Sequence, residues 1–378
     1  MSLLGINLNL LIGPSVPLPA PALLMENLDK VEITQSDEGR SGFQITFKVG
    51  RTTRAQIASF RLLSNPLLKP DNRVVITMVV NALPRVLMDG IIRHQQLNPA
   101  NEAGSSTLTI TGEDITAELD KQEVTVEHVG RNDTMVALQL IGKYARFGLI
   151  PQVIPPLQGD FPPTPNERAP VQRDTDLGHL QTIAERFGYV FYIKPGPAPG
   201  VNVAYWGPPN RIGLPARALS VNMGSHTNVQ SIDFQYDAEQ ATFVTGRVKD
   251  RYLAIDLPIR TFVGTRLPLA QPFDITKLRE TQLDDVEGLT YAQAFARAQA
   301  MTDKSLDTAL TVTGEVDAER YSDVLEARGL VGVRGAGIQY DGLYYIKQVT
   351  HVIRPGEYRQ RFTLSREGLG TTTPVVRP

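Results

Sequence analysis

A run of strands broken by two turn dipeptides dominates the last third of this chain. From Glu326 to Glu367 the run EARGLVGVRGAGIQYDGLYYIKQVTHVIRPGEYRQRFTLSRE reads as strand, loop, Asp341-Gly342 turn, long strand, Pro355-Gly356 turn, long strand. Side chains along a strand point to opposite faces in turn, so such a run buries one face of a sheet and wets the other. Glycine at each turn accepts the positive φ that a tight reversal needs.

A weaker version of the layout lies near the other end of the chain. Phe43, Ile45, Phe47 and Val49 alternate with Gln44, Thr46 and Lys48. The cluster Ser36-Asp37-Glu38-Gly39-Arg40 is turn chemistry, which predicts a hairpin of Val31–Thr34 with Phe43–Val49. Further strands are predicted at Arg73–Val80, Val86–Gln95 and Ser106–Thr111, with Asp89-Gly90 as a tight turn or a bulge. Superposing Asp89-Gly90 on Asp341-Gly342 sets Val74-Val75-Ile76 against Leu330–Val333, and Thr107–Asp114 against Arg361–Glu367. The match is one of pattern and turn position. It leaves open a duplicated β unit or two hairpins of common type.

The middle of the chain changes period. Asn132-Asp133-Thr134 offers an N-cap, and Val136, Leu140 and Tyr144 share one helical face beside Ala137 and Ile141. Asp174 or Thr175 caps a second helix, which Leu177, Leu180, Ile183, Ala184 and Phe187 line and Gly188 ends before the strand Tyr189–Ile193. Cap, helix, glycine and strand thus occur twice, at Asn132–Ile154 and Asp174–Ile193, predicting a small α+β domain. Seven prolines between Pro151 and Pro170 predict an irregular loop. Lys194–Gly200 turns into a strand at Val201–Trp206. Strands return at Val229–Tyr236 and Thr242–Tyr252, and an alanine-rich helix follows at Tyr291–Lys304. Leu257–Leu283 resists assignment.

The apolar N-terminus carries no Lys or Arg before Lys30, and Pro14, Pro17, Pro19 and Pro21 interrupt it. That argues against a signal peptide and a membrane span, and for a strand followed by a Pro-rich arm. The expected division is 1–26 for strand and arm, 27–122 for the first β domain and 123–225 for the α+β domain. The second β domain with its helix spans 226–367, and the tail 368–378. The fold class is mainly β with α+β.

Little of the usual chemistry is spelled out. Net charge is −2, with 38 Lys and Arg against 40 Asp and Glu, so the basic excess of a nucleic-acid binder is missing. The absence of cysteine excludes disulfides, thiolate metal sites and cysteine nucleophiles. None of His94, His128, His179, His226 and His351 has a zinc-type partner three or four residues away. The glycine-rich Gly332–Gly337 leads into a strand, whereas a phosphate cradle leads into a helix. Asp284-Asp285 with Glu287 reads as solvated surface rather than a paired-carboxylate site. Trp206 beside Gly207-Pro208-Pro209 suits a structural anchor or a contact residue. No catalytic, cofactor-binding or metal-binding residue is expected.

Three segments carry a resemblance. Val31–Arg51 is similar to the opening hairpin of the tail and baseplate hub family of contractile injection systems. Those hubs include late control D proteins, contractile-phage baseplate hubs and the hub part of VgrG-type spikes. Asp174–Ile193 resembles the family's helix-to-strand segment. Gly329–Glu367 resembles its C-terminal signature, on Gly332, Gly335, Asp341-Gly342, Tyr344-Tyr345, Val349, His351, Gly356 and Tyr358. The resemblance implies two tail-tube-like β-barrel domains flanking the α+β region, and a non-enzymatic homotrimer. Its pseudo-six-fold ring would adapt a six-fold tail tube to a three-fold spike. Implied partners are the tail tube protein, a separate spike protein and other baseplate components. No specific nucleic-acid binding and no stable membrane insertion are implied. The particle, a phage tail or a contractile injection system, would assemble in the cytoplasm. In that picture the middle α+β domain would sit on the outside, bracing the ring or meeting the baseplate. The rival readings are a tail-associated peptidoglycan hydrolase and a monomeric β-rich binding module.

Overall fold

The computed structural model describes residues 6–14, 16–49, 62–101, 105–157, 159–162, 170–237, 239–250, 255–262, 264–271, 278–284, 286 and 289–373. The first β unit holds β1 (Ile6–Gly13), β2 (Leu18–Pro19), α1 (Ala22–Glu26), β3 (Leu28–Ser36), β4 (Gly42–Val49), β5 (Arg73–Val80), β6 (Leu83–Asn98), β7 (Ser106–Asp114) and α2 (Thr116–Leu119). The middle region holds β8 (Glu123–Glu127), α3 (Asp133–Gly142), β9 (Leu149–Val153), β10 (Val171–Thr175), α4 (Asp176–Glu185), β11 (Val190–Pro195) and β12 (Asn202–Gly207). β13 (Ala216–Ser220) and β14 (Val229–Tyr236) open the second β unit. β15 (Thr242–Lys249), β16 (Asp256–Arg260), β17 (Arg279–Gln282) and α5 (Tyr291–Asp307) interrupt it. It resumes with β18 (Leu310–Asp317), α6 (Ala318–Tyr321), β19 (Leu330–Arg334), β20 (Gly342–Arg354) and β21 (Glu357–Arg366).

The two β units share one sheet. Its strand order is β14-β18-β21-β20-β3-β4-β7-β6-β5-β1-β2, with β19 bridging β20 and β13. Two barrels are expected from the sequence; the described strands instead follow an open path, continuous from unit to unit because β20 pairs antiparallel with β3. β3 and β20 satisfy their facing backbone groups on each other, so neither is left as a bare edge at the junction.

The duplication is written in the sheet's irregularities. In the first unit β3, β4, β7, β6 and β5 are neighbours in that order; in the second β14, β18, β21, β20 and β19 are. β6 bulges at Arg93 against β7, and β20 bulges at Lys347 against β21. Following the registers outward from that match, through β7 and β21 and then β4 and β18, sets Asp29 on Gln230. Both are bulges, in β3 against β4 and in β14 against β18. On the other flank Ile92 bonds the backbone of Asp71 and Asn72, as Ile346 bonds that of Arg328 and Gly329. Asp71 and Arg328 both take positive φ, 68° and 71°. Chance resemblance of hairpins would not align a bulge, a second bulge and a strained backbone residue.

The same registers correct the superposition on the two Asp-Gly pairs. Gly90 corresponds to Tyr344 and not to Gly342, a slip of two residues. Asp89-Gly90 is no turn: it lies within β6, and the reversal falls at Asn81-Ala82, both at positive φ (50° and 64°). Gly90 is needed because a Cβ there would run into the Glu113 carbonyl, with the Phe43 ring 3.1 Å away.

Other expectations fare differently. The strand expected at the N-terminus is β1, all eight of whose residues pair with β5, with Leu10 and Ile12 buried. Pro151 belongs to β9, which pairs in parallel with β12; β9 is an edge strand, where a missing N–H is tolerated. The unassigned stretch holds β16 and β17, which flank β15. Both middle helices form where the caps predict them: Asn132 accepts from Met135 N (2.9 Å), and Thr175 accepts from Gly178 N (3.1 Å). Their apolar faces pack on β9, β11 and β12 around Leu140, Leu180, Ile183 and Trp206. Each such buried side chain stabilises the fold by about 1.5–3 kcal/mol. The core of the first unit also takes in Ala318, Val324, Ile353 and Tyr358 of the second.

Candidate assembly surface

Alternation divides the shared sheet into two unlike faces. Val31, Ile33, Phe43, Ile45, Phe47, Ile110, Val349, Phe362 and Leu364 are buried on one side. The opposite side of the same strands carries mostly threonine, glutamine and paired charge. β-branched threonine fits the pleat and hydrogen-bonds across strands. Thr34 and Thr350 Oγ lie 3.2 Å apart across the junction of the units, and Thr46 and Thr109 Oγ lie 3.4 Å apart. Several charges on this side are paired. Glu315 accepts from Arg359 and Arg361, each at 2.9 Å, and Arg40 donates to Glu113 at 2.8 Å. Partial burial alone would raise the Glu315 carboxyl; the two arginines outweigh it and hold the group below its ordinary value. The polar side has two open hollows, of about 460 and 350 Å³. They overlie topologically equivalent strands, β14-β18-β21 and β3-β4-β7. Neither gathers an acid and a base into a closed site.

Buried polar pins fix the three regions to one another. Arg73 grips Asp89 with two bonds of 2.7 Å, and Asn202 of the middle region adds a third to that carboxylate at 3.0 Å. Arg328, from the second unit, donates to the Ser36 carbonyl (3.0 Å) and the Ser41 hydroxyl (2.8 Å) of the first. Gln35 reaches Leu87 O and the Ala327 backbone N–H. Burial pushes the Asp37 carboxyl up to about 6, and Lys347 and Arg328 pull it down only in part. Sequence reading missed these pins. Their one advance sign is a charged residue inside an apolar strand, as with Asp89.

The histidines fall into separate places. His94 and His226 are exposed. His128 and His179 stack at 5.5 Å, and burial, with His128 second, lowers the His179 pKa to about 4. His351 is fully buried and shares a 2.9 Å hydrogen bond with the Tyr358 hydroxyl; burial lowers its pKa to about 3. Trp206 is buried, donates to Leu180 O (3.3 Å) and meets Phe187 and Tyr189 edge-on. It is an anchor of the middle core. Asp284 is exposed, while Asp285 and Glu287 lie outside the described residues. So do Gly50 and Arg51 at the end of the opening hairpin, residues 163–169 of the Pro-rich loop, and 374–378 of the tail. Gly335 and Gly337 take positive φ in the loop from β19 to β20, as a turn requires. Among the described residues no group of three His, Asp or Glu is placed to hold a metal ion. Among them, too, no helix is long and apolar enough to cross a membrane.

Solved tail proteins share this architecture. A tail protein from Neisseria meningitidis MC58 superposes over 97% of this chain and 98% of its own, with a TM-score of 0.61 at 15% identity. The 43 kDa tail protein of prophage MuSo2 from Shewanella oneidensis matches over 96% and 98%, with a TM-score of 0.64 at 14% identity. The E. coli c3393 protein matches over 93% of this chain and 78% of its own, with a TM-score of 0.56 at 12% identity. It is a component of the type VI secretion system with structural similarity to the T4 tail proteins gp27 and gp5. No protein-family model matches the chain, and no curated protein does.

Proposed function

We propose that this chain is the structural hub of a phage tail or contractile injection particle. Three copies would form a ring of six similar β units, which meets a six-fold tail tube on one side and a three-fold spike on the other. The observation that carries this reading is the duplicated unit, matched at two bulges and one positive-φ residue, in one continuous sheet. A ring protein that must present nearly the same surface six times from three chains needs that arrangement, because a closed ring repeats one heterologous contact. Six quasi-equivalent units satisfy both symmetries at once.

The tube-like domains of this reading, 27–122 and 226–367, would close as a barrel only between chains. The polar side of the sheet would face the lumen. Eight strands per chain, β14 through β6 in sheet order, would give a wall about 40–50 Å across for three copies. Threonines and self-neutralised charges suit a conduit, since unpaired Lys and Arg would hold passing phosphates. The middle domain, 123–225, would sit outside the ring against the baseplate. Spike, tube protein and other baseplate components are the partners.

The test is the solution mass by light scattering over a range of concentrations, alone and with the spike protein from the same particle. A stable species of roughly three times the 41.6 kDa chain, imaged as a ring, is expected. A monomer that persists with the spike present overturns the hub. A lytic band on a peptidoglycan gel would instead support the hydrolase.

A further inference from the structure

The duplicated sheet has one junction made within the chain and its twin left bare. Past its bulge, β20 holds β21 on one edge and β3 on the other, with Gln348 opposite Ser36 and Ile353 opposite Val31. The counterpart of β20 is β6, and the counterpart segment is His94–Asn98. It holds β7 on one edge. The other edge is left behind at Ile92, where the chain leading into β5 makes its last bonds, and among the described residues nothing pairs with it beyond. The counterpart of β3 is β14, which holds β18 on one edge and, among the described residues, nothing on the other. His94, Gln95, Gln96 and Asn98 are exposed, as are Asp233, Gln235 and Tyr236. Bare strand edges are templates for another strand. Within the chain the two edges do not meet: the sheet follows an open path with six strands between β14 and β6.

We propose that β14 of one copy pairs antiparallel with β6 of the next, repeating between chains the junction that β3 and β20 make within one. Transferring that register sets Gln96 opposite Gln235, Leu97 opposite Phe234, Gln95 opposite Tyr236 and His94 opposite Asp237. The chemistry agrees rung by rung. Gln96 and Gln235 stand where Thr350 and Thr34 hydrogen-bond within the chain. Leu97 and Phe234, both half-buried in the single chain, fall on the core side. His94 meets the carboxylate of Asp237, which already accepts from Glu239 N (3.0 Å). Each copy offers β14 to one neighbour and β6 to the other, so the contact propagates and closes. The junction rests on the duplicated register; it deepens the hub reading and rests on that reading only for closure into a ring of three.

The chain has no cysteine, which makes cross-linking a clean test on the full-length protein. Residues directly opposite in an antiparallel pair lie about 4.5–5.5 Å apart at Cα, inside the range of about 4.4–6.8 Å that a disulfide spans. Gln96→Cys and Gln235→Cys are exposed substitutions that leave the fold intact. In the double variant, oxidation is expected to give covalent dimers and trimers. A mixture of the two single variants is expected to give a dimer that neither gives alone. The out-of-register pair Gln96→Cys with Ser231→Cys is expected to cross-link at least about ten-fold less. Trimers in light scattering without the in-register cross-link would overturn the junction and leave the hub standing. A monomer with no cross-link, with the spike protein present, would overturn both.

Discussion

The guanidinium of Arg328 lies 4.0 Å above the ring of Tyr192, joining the second β unit to the middle region. Tyr192 in turn stacks on Tyr205 at 4.9 Å. Arg328 is buried, and its protons go to the Ser36 carbonyl, the Ser41 hydroxyl and, at 3.4 Å, the Ile193 carbonyl. One side chain therefore binds three regions that are far apart in sequence. Lysine cannot reproduce the planar fork or its stacking. Arg328→Lys is expected to lower stability by about 2–4 kcal/mol, from lost charge-assisted bonds and the cation–π contact. Urea unfolding measures it. A loss below about 0.5 kcal/mol, the usual size for an ordinary surface change, would mean the pin does not couple the regions.

Gly112 and Phe43 face each other across β4 and β7, and the ring covers the glycine. A Cβ on Gly112 would collide with both that ring and the Ile91 carbonyl. The backbone contact cannot yield as a flexible side chain can. Gly112→Ala should cost about 1–3 kcal/mol and Gly112→Val more, from overpacking. Thermal melting checks this, and an unchanged midpoint for the valine variant would contradict it.

Much of this fold could be read from the sequence where one physical signal acted alone. Phe43 to Val49 alternates cleanly because one face of β4 is buried and the other wet. Asn132 and Thr175 announce their helices because an N-cap is a local hydrogen bond. The last two strands were legible for the same reason, around Pro355-Gly356. Asp89-Gly90 misled because its composition is that of a turn, while its setting is a strand: Arg73 neutralises the aspartate, and Phe43 needs the space over the glycine. Composition carries no record of either partner. The shared sheet was hidden too, since the pairing of Thr34 with Thr350 joins residues 316 apart. The bare edges of β6 and β14 show in no single stretch, and emerge only when one unit's register is laid on the other.

Arg73 and Asp89 form an enclosed ion pair in the first unit, with Asp89 1% exposed. Asp89→Ala would strand a buried guanidinium, at a cost of about 3–5 kcal/mol. Removing both charges, as in Arg73→Met with Asp89→Leu, should recover part of that loss, because neither partner is then left uncompensated. A double-mutant cycle by urea unfolding reads the coupling. Additive losses would show that the two groups act independently.

His351 gives the stability of the protein a dependence on pH whose sign is fixed. The ring is fully buried, and burial lowers its pKa to about 3 from an ordinary value of 6.5. Between those values the unfolded chain binds a proton that the folded chain refuses. Stability from this group is complete above pH 6.5 and is lost as pH falls toward 3, at a slope of up to about 1.4 kcal/mol per pH unit. His179, lowered to about 4, acts with the same sign. Asp37 opposes them: its carboxyl, raised to about 6 from 3.8, keeps a proton in the folded state and so favours folding as pH falls through that window. Comparing variant with parent cancels both neighbours. His351→Gln keeps a partner for the Tyr358 hydroxyl and cannot titrate. Its urea midpoint should fall less than the parent's between pH 7 and pH 5, by the equivalent of about 1–2 kcal/mol. Equal falls in the two proteins would show that His351 takes up its proton as readily folded as unfolded, and that its burial opens at acid pH.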